Sequence, residues 1–274
     1  MKLLRPKQWV KNTFVFMPLI FSGQIVDPES IIRAVYSFLF FCLASSAVYI
    51  VNDYRDMEKD RLHPLKSKSR PLANGSVSIQ LALIVVLVFY VIISLSYFLN
   101  SSLFLTLFSY IILNYIYSFC LKDKPIWDIF CIATGFVLRV LCGAVAISVT
   151  LSSWMFITTF SIALYLASIK RKQELNSTGS LARVSLTRYN TSIVEKFAEI
   201  SATCALIFYS IFAFSNEKNL VLTIPLVMFG IFRYWYLVEF KNDGESPTDT
   251  LLSDIQLVSV ILVWLILCSY IILV

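Results

Sequence analysis

Asn52, Asp53, Asp56 and Asp60 stand together in the segment NDYRDMEKD, directly after a long, largely apolar run. If the helix of that run continues past Val51, then Asn52, Asp56 and Asp60 fall at i, i+4 and i+8 on one face. Asp53 flanks the same stripe. Oxygen-bearing side chains crowded in this way repel one another unless a cation sits among them. Oxygen ligands suit Mg²⁺, which keeps several waters and bridges one or two carboxylates to substrate phosphates. The competing reading is a solvated helix end whose acids pair with Arg55, Lys59 and Arg61. Ionisable groups at a membrane edge favour the functional reading. His63-Pro64 is expected to stop the helix, since Pro disfavours α geometry in the residue before it. Lys66, Lys68 and Arg70 follow before Pro71. Carboxylates that hold a metal beside cations that hold phosphate make a diphosphate site, and composition does not say which diphosphate. Arg61 and His63, at the end of the stripe, join the candidate substrate contacts.

The elements that must position these residues read as membrane helices. The chain has 274 residues, 58% hydrophobic and only 15% charged, against about 25% charged in soluble domains. Nine apolar segments are long enough to span a bilayer: 9–25, 29–52, 78–99, 102–120, 125–148, 152–170, 194–215, 219–239 and 254–273. The breaks carry turn or cap chemistry, as at Asp27-Pro28, Asn74-Gly75 and Lys124-Pro125. The first segment is read as a retained span rather than a cleaved signal. With the N-terminus placed inside, 18 of the 23 Lys and Arg fall on inner segments, and only Arg33 and Lys218 on outer ones. That asymmetry predicts a cytoplasmic N-terminus and a cytoplasmic working face in a multi-pass cell-membrane protein. The expectation is a single all-α membrane domain over 1–274, with catalytic loops at 52–77 and 170–193.

The six Cys lie in or beside apolar segments without a CxxC pair, so neither a disulfide frame nor a zinc site is expected. No Ser/His/Asp or Cys/His constellation stands out. No nucleic-acid partner is expected, and a homo-oligomer is left open. Other polar groups lie at membrane depth. Asp128 and Arg139 share a face of segment 125–148, about 16 Å apart along the axis, too far for a direct pair. Arg139 is expected to bind a phosphate or to meet an acid on another helix. Lys122 ends a stripe with Asn114 and Ser118 and is a phosphate candidate. Lys11 and Asn12 open the first segment, where an amine and a helix N-terminus both favour an anion. Lys170 and Arg171 are read either as topology anchors or as anion ligands.

The segment NDYRDMEKD has the NDxxDxxxD form of the UbiA superfamily of membrane prenyltransferases. The longer run to NDYRDMEKDRLHPLKSKSRPLANG resembles one branch more closely, the decaprenyl-phosphate (polyprenyl-phosphate) phosphoribosyltransferases. So do LRPKQWVKN, YSFCLKDKPIWDI, GFVLRVLCGAVA, KRKQEL and RVSLTRYN, which occur in family order from residue 3 to about 190. The last three segments match in hydropathy only. The resemblance implies a UbiA-like bundle and transfer of phosphoribose from phosphoribosyl diphosphate to a polyprenyl phosphate. It also implies Mg²⁺ held by Asn52, Asp53, Asp56 and Asp60. Lys66, Arg70, Lys170 and Arg171 would then neutralise phosphates, and Arg188 and Tyr189 match a family motif. Where prenyl-diphosphate-using members carry a second Asp-rich motif, this chain has Lys170, Arg171 and Glu174, which suits anion binding. The rival readings are an aromatic prenyltransferase of the same superfamily and a cation-coupled transporter. The transporter reading would place acids near the bilayer midplane.

Overall fold

The computed structural model describes residues 2–62, 66–178, 184–241 and 247–274, and among these every regular element is helical. The long helices are α1 (Pro28–Arg55), α2 (Ile79–Leu99), α3 (Ser101–Ile116), α4 (Trp127–Ala146), α5 (Ser153–Thr178), α6 (Thr191–Asn216), α7 (Ile224–Lys241) and α8 (Ile255–Leu273). A π-helical turn, Tyr117–Leu121, extends α3, and a 3₁₀ turn, Lys218–Thr223, leads into α7. Eight elements among the described residues are long and apolar enough to cross a membrane. The protein is a multi-pass membrane protein.

Local chemistry explains where these helices begin. Asp27 caps α1 by accepting the Ser30 N–H at 2.9 Å, with Pro28 at the first helical position. Ser78 caps α2 through the Leu81 N–H at 3.2 Å, and Asn190 caps α6 through the Ile193 N–H at 2.7 Å. Asp254 caps α8 through the Leu257 N–H at 3.0 Å, and its two oxygens also take the Arg233 guanidinium at 3.1 and 2.7 Å.

The expected first span departs from α geometry. Residues Pro6–Phe16 form a 3₁₀ helix, followed by five α-helical residues, Met17–Phe21. Pro18 has no N–H, and its ring would meet the Phe14 carbonyl of a regular α-helix. Met17 instead donates to Phe14, three residues back. At about 2.0 Å per 3₁₀ residue and about 1.5 Å per α residue, the segment still covers about 30 Å.

α4 is the hub. It packs against α1, α3, α5 and the N-terminal segment, and it is the most buried of the spans. Small residues let the N-terminal segment press close, as is common between membrane helices. At Gly143, an added Cβ would lie 1.9 Å from the Val15 carbonyl oxygen and 2.8 Å from its carbon. Backbone, unlike a side chain, cannot turn aside. Gly143→Ala should therefore destabilise the bundle by about 3 kcal/mol, read as a lower melting temperature in detergent. An unchanged melting temperature would show that the segment can lift off α4.

Candidate active site

α1 stays helical as far as Arg55 and turns at Asp56 into a short helix, Met57–Leu62. The α-type ladder survives this turn. The Asp56 N–H donates to the Asn52 carbonyl at 3.0 Å, and the Asp60 N–H to the Asp56 carbonyl at 2.8 Å. The i, i+4, i+8 register of Asn52, Asp56 and Asp60 is therefore kept. Asp53 is only 2% exposed. Arg5 grips it with a fork, Nη2 donating to Oδ1 and Nε donating to Oδ2 at 3.2 Å. Arg70 Nη1 adds a second donor to Oδ1 at 2.8 Å. Asp56 Oδ2 accepts from Lys122 Nζ and, at 3.3 Å, from Asn52 Nδ2. Ser118 Oγ donates to Asn52 Oδ1 at 3.3 Å. The π turn Tyr117–Leu121 aims Ser118 and Lys122 at this cluster, a local irregularity of the kind that recurs at functional sites. Asp60 is buried on the short helix.

Arg5 was not among the residues singled out from spacing. Residues 5 and 53 are far apart in sequence, and no periodicity links them. Its backbone is left-handed, φ 51° and ψ 58°, an uncommon state for a non-glycine residue. Hydrogen bonds hold the N-terminal segment along α1: Trp9 Nε1 to Ser46 Oγ at 3.1 Å, Ser46 Oγ to the Leu4 carbonyl at 2.9 Å, and Asn12 Nδ2 to Ser45 Oγ at 3.0 Å.

A second polar cluster joins the start of α4 to the end of α5. Asp128 is fully buried and accepts from Arg171 Nε at 2.7 Å and from the Tyr189 hydroxyl at 2.8 Å. Arg171 Nη1 donates to Glu174, and Lys170 Nζ lies 3.9 Å from the same carboxylate. Arg171 Nη2 is buried with no hydrogen-bond partner among the described residues. The Ile126 N–H donates to the Tyr189 oxygen at 2.5 Å from a residue with φ 71°, a strained value for a β-branched side chain. Burial pushes the Tyr189 phenol above its ordinary pKa, the Ile126 N–H pulls it down, and the Asp128 charge raises it further. It therefore stays a neutral donor to Asp128.

The remaining candidates are placed apart from these clusters or outside the description. Arg139 is buried in mid-α4 and pairs with no acid among the described residues. Its Nε donates to Asn12 Oδ1 at 2.9 Å, Nη1 to the Gly135 carbonyl at 2.7 Å and Nη2 to the Tyr110 hydroxyl at 3.2 Å. Phe41, Tyr110 and Phe136 surround the guanidinium, with ring centroids 5.0–5.1 Å away. Arg139 and Asn12 thus tie the N-terminal segment to α4. Lys11 is half-buried beside them. Arg61 turns outward to Glu58 at 2.9 Å, and Arg188 is exposed. Lys66 opens a short helix, Lys66–Ser69, but its side chain lies outside the description, as does His63. Lys172, adjacent to Arg171, is drawn away to Glu195 and Glu239.

Among the described residues no group of three or more His, Cys, Asp or Glu forms a closed metal cage. The gathered donors are Asn52, Asp53 and Asp56, all oxygen. Two carboxylates and an amide suit a hard divalent ion that completes its shell with water and substrate phosphate, rather than one enclosed by protein. The residues present fit Mg²⁺ on that basis.

A family model described as the UbiA prenyltransferase family matches residues 14–270. The decaprenyl-phosphate phosphoribosyltransferase of Corynebacterium glutamicum is 34% identical over 278 residues, 96% of this chain and 83% of that one. The protein of the same name from Mycobacterium tuberculosis is 33% identical over 277 residues, 96% of this chain and 91% of that one. The fold is similar to that of a UbiA homolog from Archaeoglobus fulgidus bound to DMAPP and Mg²⁺. The TM-score is 0.77 at 19% identity, over 99% of this chain and 98% of the other.

Proposed function

We propose that this chain, which belongs to the UbiA prenyltransferase family, transfers the 5-phosphoribosyl group from phosphoribosyl diphosphate to a polyprenyl phosphate, releasing diphosphate. The relatives named as decaprenyl-phosphate phosphoribosyltransferases support this reading over nearly the whole chain. The observation that carries it is the character of the second cluster, where basic Lys170 and Arg171 stand around Asp128 and Glu174. Such a cluster suits a donor with a phosphate besides its diphosphate, and it is a poor second metal clamp.

Asn52, Asp53 and Asp56 would hold Mg²⁺, which when bound supplies Lewis-acid neutralisation of the leaving diphosphate. Arg70 and Lys122 already lie against these carboxylates, so their charges are in place to meet a diphosphate beside them. Arg171 is fixed by Asp128 and Glu174 with Nη2 unpartnered among the described residues, and together with Lys170 it would meet the donor's second phosphate. An oxygen of the lipid phosphate attacks ribose C1, the C1–O bond to diphosphate breaks, and the electron pair leaves with diphosphate. The attacking phosphate is already anionic near neutral pH, so no side chain needs to remove a proton. In-line displacement inverts C1. The positive-inside asymmetry supports a site on the cytoplasmic face of the cell membrane.

The test is purified protein in lipid nanodiscs with ribose-labelled phosphoribosyl diphosphate and polyprenyl phosphate. The expected result is label in the lipid fraction, lost on adding excess chelator and restored by Mg²⁺. Prenyl transfer from a polyprenyl diphosphate to an aromatic acceptor, with no ribose transfer, would replace this reading by the aromatic prenyltransferase.

A further inference from the structure

We propose that Arg5 is an exchangeable ligand of Asp53: it pairs with the carboxylate before the donor binds and passes to the donor's diphosphate when a divalent ion binds Asp53. This rests on the function proposed above and names a residue of the same site that neither the acidic motif nor its spacing indicates.

Both Asp53 oxygens are engaged by Arg5, and Arg70 shares one of them. Oδ1 already takes two donors and Oδ2 one, so a divalent ion that chelates the carboxylate through both oxygens must shift at least one guanidinium. The charge balance points the same way. Arg5, Arg70 and Lys122 set three positive charges on the two carboxylates of Asp53 and Asp56. Counting the buried Asp60 brings this group only to neutrality. Such a group resists a lone cation and accepts a cation that arrives with a polyanion, so metal and diphosphate should bind with positive coupling.

Arg5 is better suited to exchange than Arg70, because it has a second support that does not depend on Asp53. Its guanidinium carbon lies 5.0 Å from the centroid of the Tyr49 ring, one helical turn before Asp53. The Arg5 side chain is 19% exposed while Asp53 is 2% exposed, so the arginine, like Arg70 at 25%, is more accessible than the carboxylate it holds. Its backbone is held by the Trp9–Ser46–Leu4 hydrogen bonds, which confines the movement to the side chain.

The test is Mn²⁺ binding by electron paramagnetic resonance to the full protein in nanodiscs, with and without inorganic diphosphate. The unaltered protein should bind Mn²⁺ weakly alone and more tightly with diphosphate. Arg5→Ala should bind Mn²⁺ alone about 10-fold more tightly, since a competing cation beside the carboxylate is gone, and should lose most of the diphosphate enhancement. Arg5→Lys keeps the charge and should stay close to the unaltered protein. Misfolding would weaken Mn²⁺ binding, so a gain in affinity cannot be mistaken for damage. Unchanged or weaker Mn²⁺ binding by Arg5→Ala overturns the exchange and leaves the proposed function standing. If Mn²⁺ does not bind the unaltered protein even with diphosphate, or binds Asp53→Asn equally well, both fail together.

Discussion

Asp53→Ala should lower ribose transfer by about a thousandfold while the amount of folded protein in membranes stays near normal. The loss is large because one carboxylate serves two purposes. It belongs to the group of oxygen donors that would hold Mg²⁺, and it is the shared anchor of Arg5 and Arg70. Without it, the ion loses a ligand and two cations lose the contact that aims them at the diphosphate. The fold should survive, since Arg5 and Arg70 are 19% and 25% exposed and can turn to water instead of being stranded. The measurement is initial rate at saturating Mg²⁺, normalised to folded protein by size-exclusion chromatography. A rate within tenfold of the unaltered enzyme would remove Asp53 from the machinery.

Arg171→Met should instead cost the protein its stability, by about 3–5 kcal/mol. Arg171 is 1% exposed and Asp128 fully buried, so removing the cation leaves a buried carboxylate whose remaining side-chain partner among the described residues is the Tyr189 hydroxyl. Glu174 loses its Arg171 contact at the same time. Breaking one side of a buried pair is far more costly than removing both. Accordingly, Asp128→Asn combined with Arg171→Met should recover part of the melting temperature lost by Arg171→Met alone. Lys170→Ala is the contrasting case. Its side chain is one-third exposed and 3.9 Å from Glu174, so the melting temperature should hold while KM for the donor rises. A normal melting temperature for Arg171→Met would mean that Arg171 is no strut between α4 and α5.

The spans were legible because hydropathy and capping are local. Segments expected at 29–52, 78–99 and 254–273 appear as Pro28–Arg55, Ile79–Leu99 and Ile255–Leu273. Helix starts follow Asp27, Ser78, Asn190 and Asp254, whose side chains bond backbone N–H groups within a few residues. The segment expected at 152–170 runs on as helix to Thr178, into the expected loop, and the poorest match, segment 9–25, came from treating apolar length as α-helix. Pro18 and the close seat against Gly143 lie instead beside a narrower 3₁₀ path.

The acidic stripe was also a local property, since i, i+4 geometry requires only that α1 continue through Asn52 into its turn at Asp56. What no spacing could supply was the partner of each acid. Asp53 meets Arg5 from 48 positions away, and Asp56 meets Lys122 from 66. Arg139 shows the same limit from the other side. A lone cation at membrane depth suggested an anion, yet packing gave it carbonyl, amide and hydroxyl acceptors and three aromatic faces. The sequence alone determined which segments are helices and which side chains share a face, because backbone hydrogen bonding and hydropathy act over a few residues. Only the tertiary structure decided which charges meet, because that depends on the packing of helices brought together from distant parts of the chain.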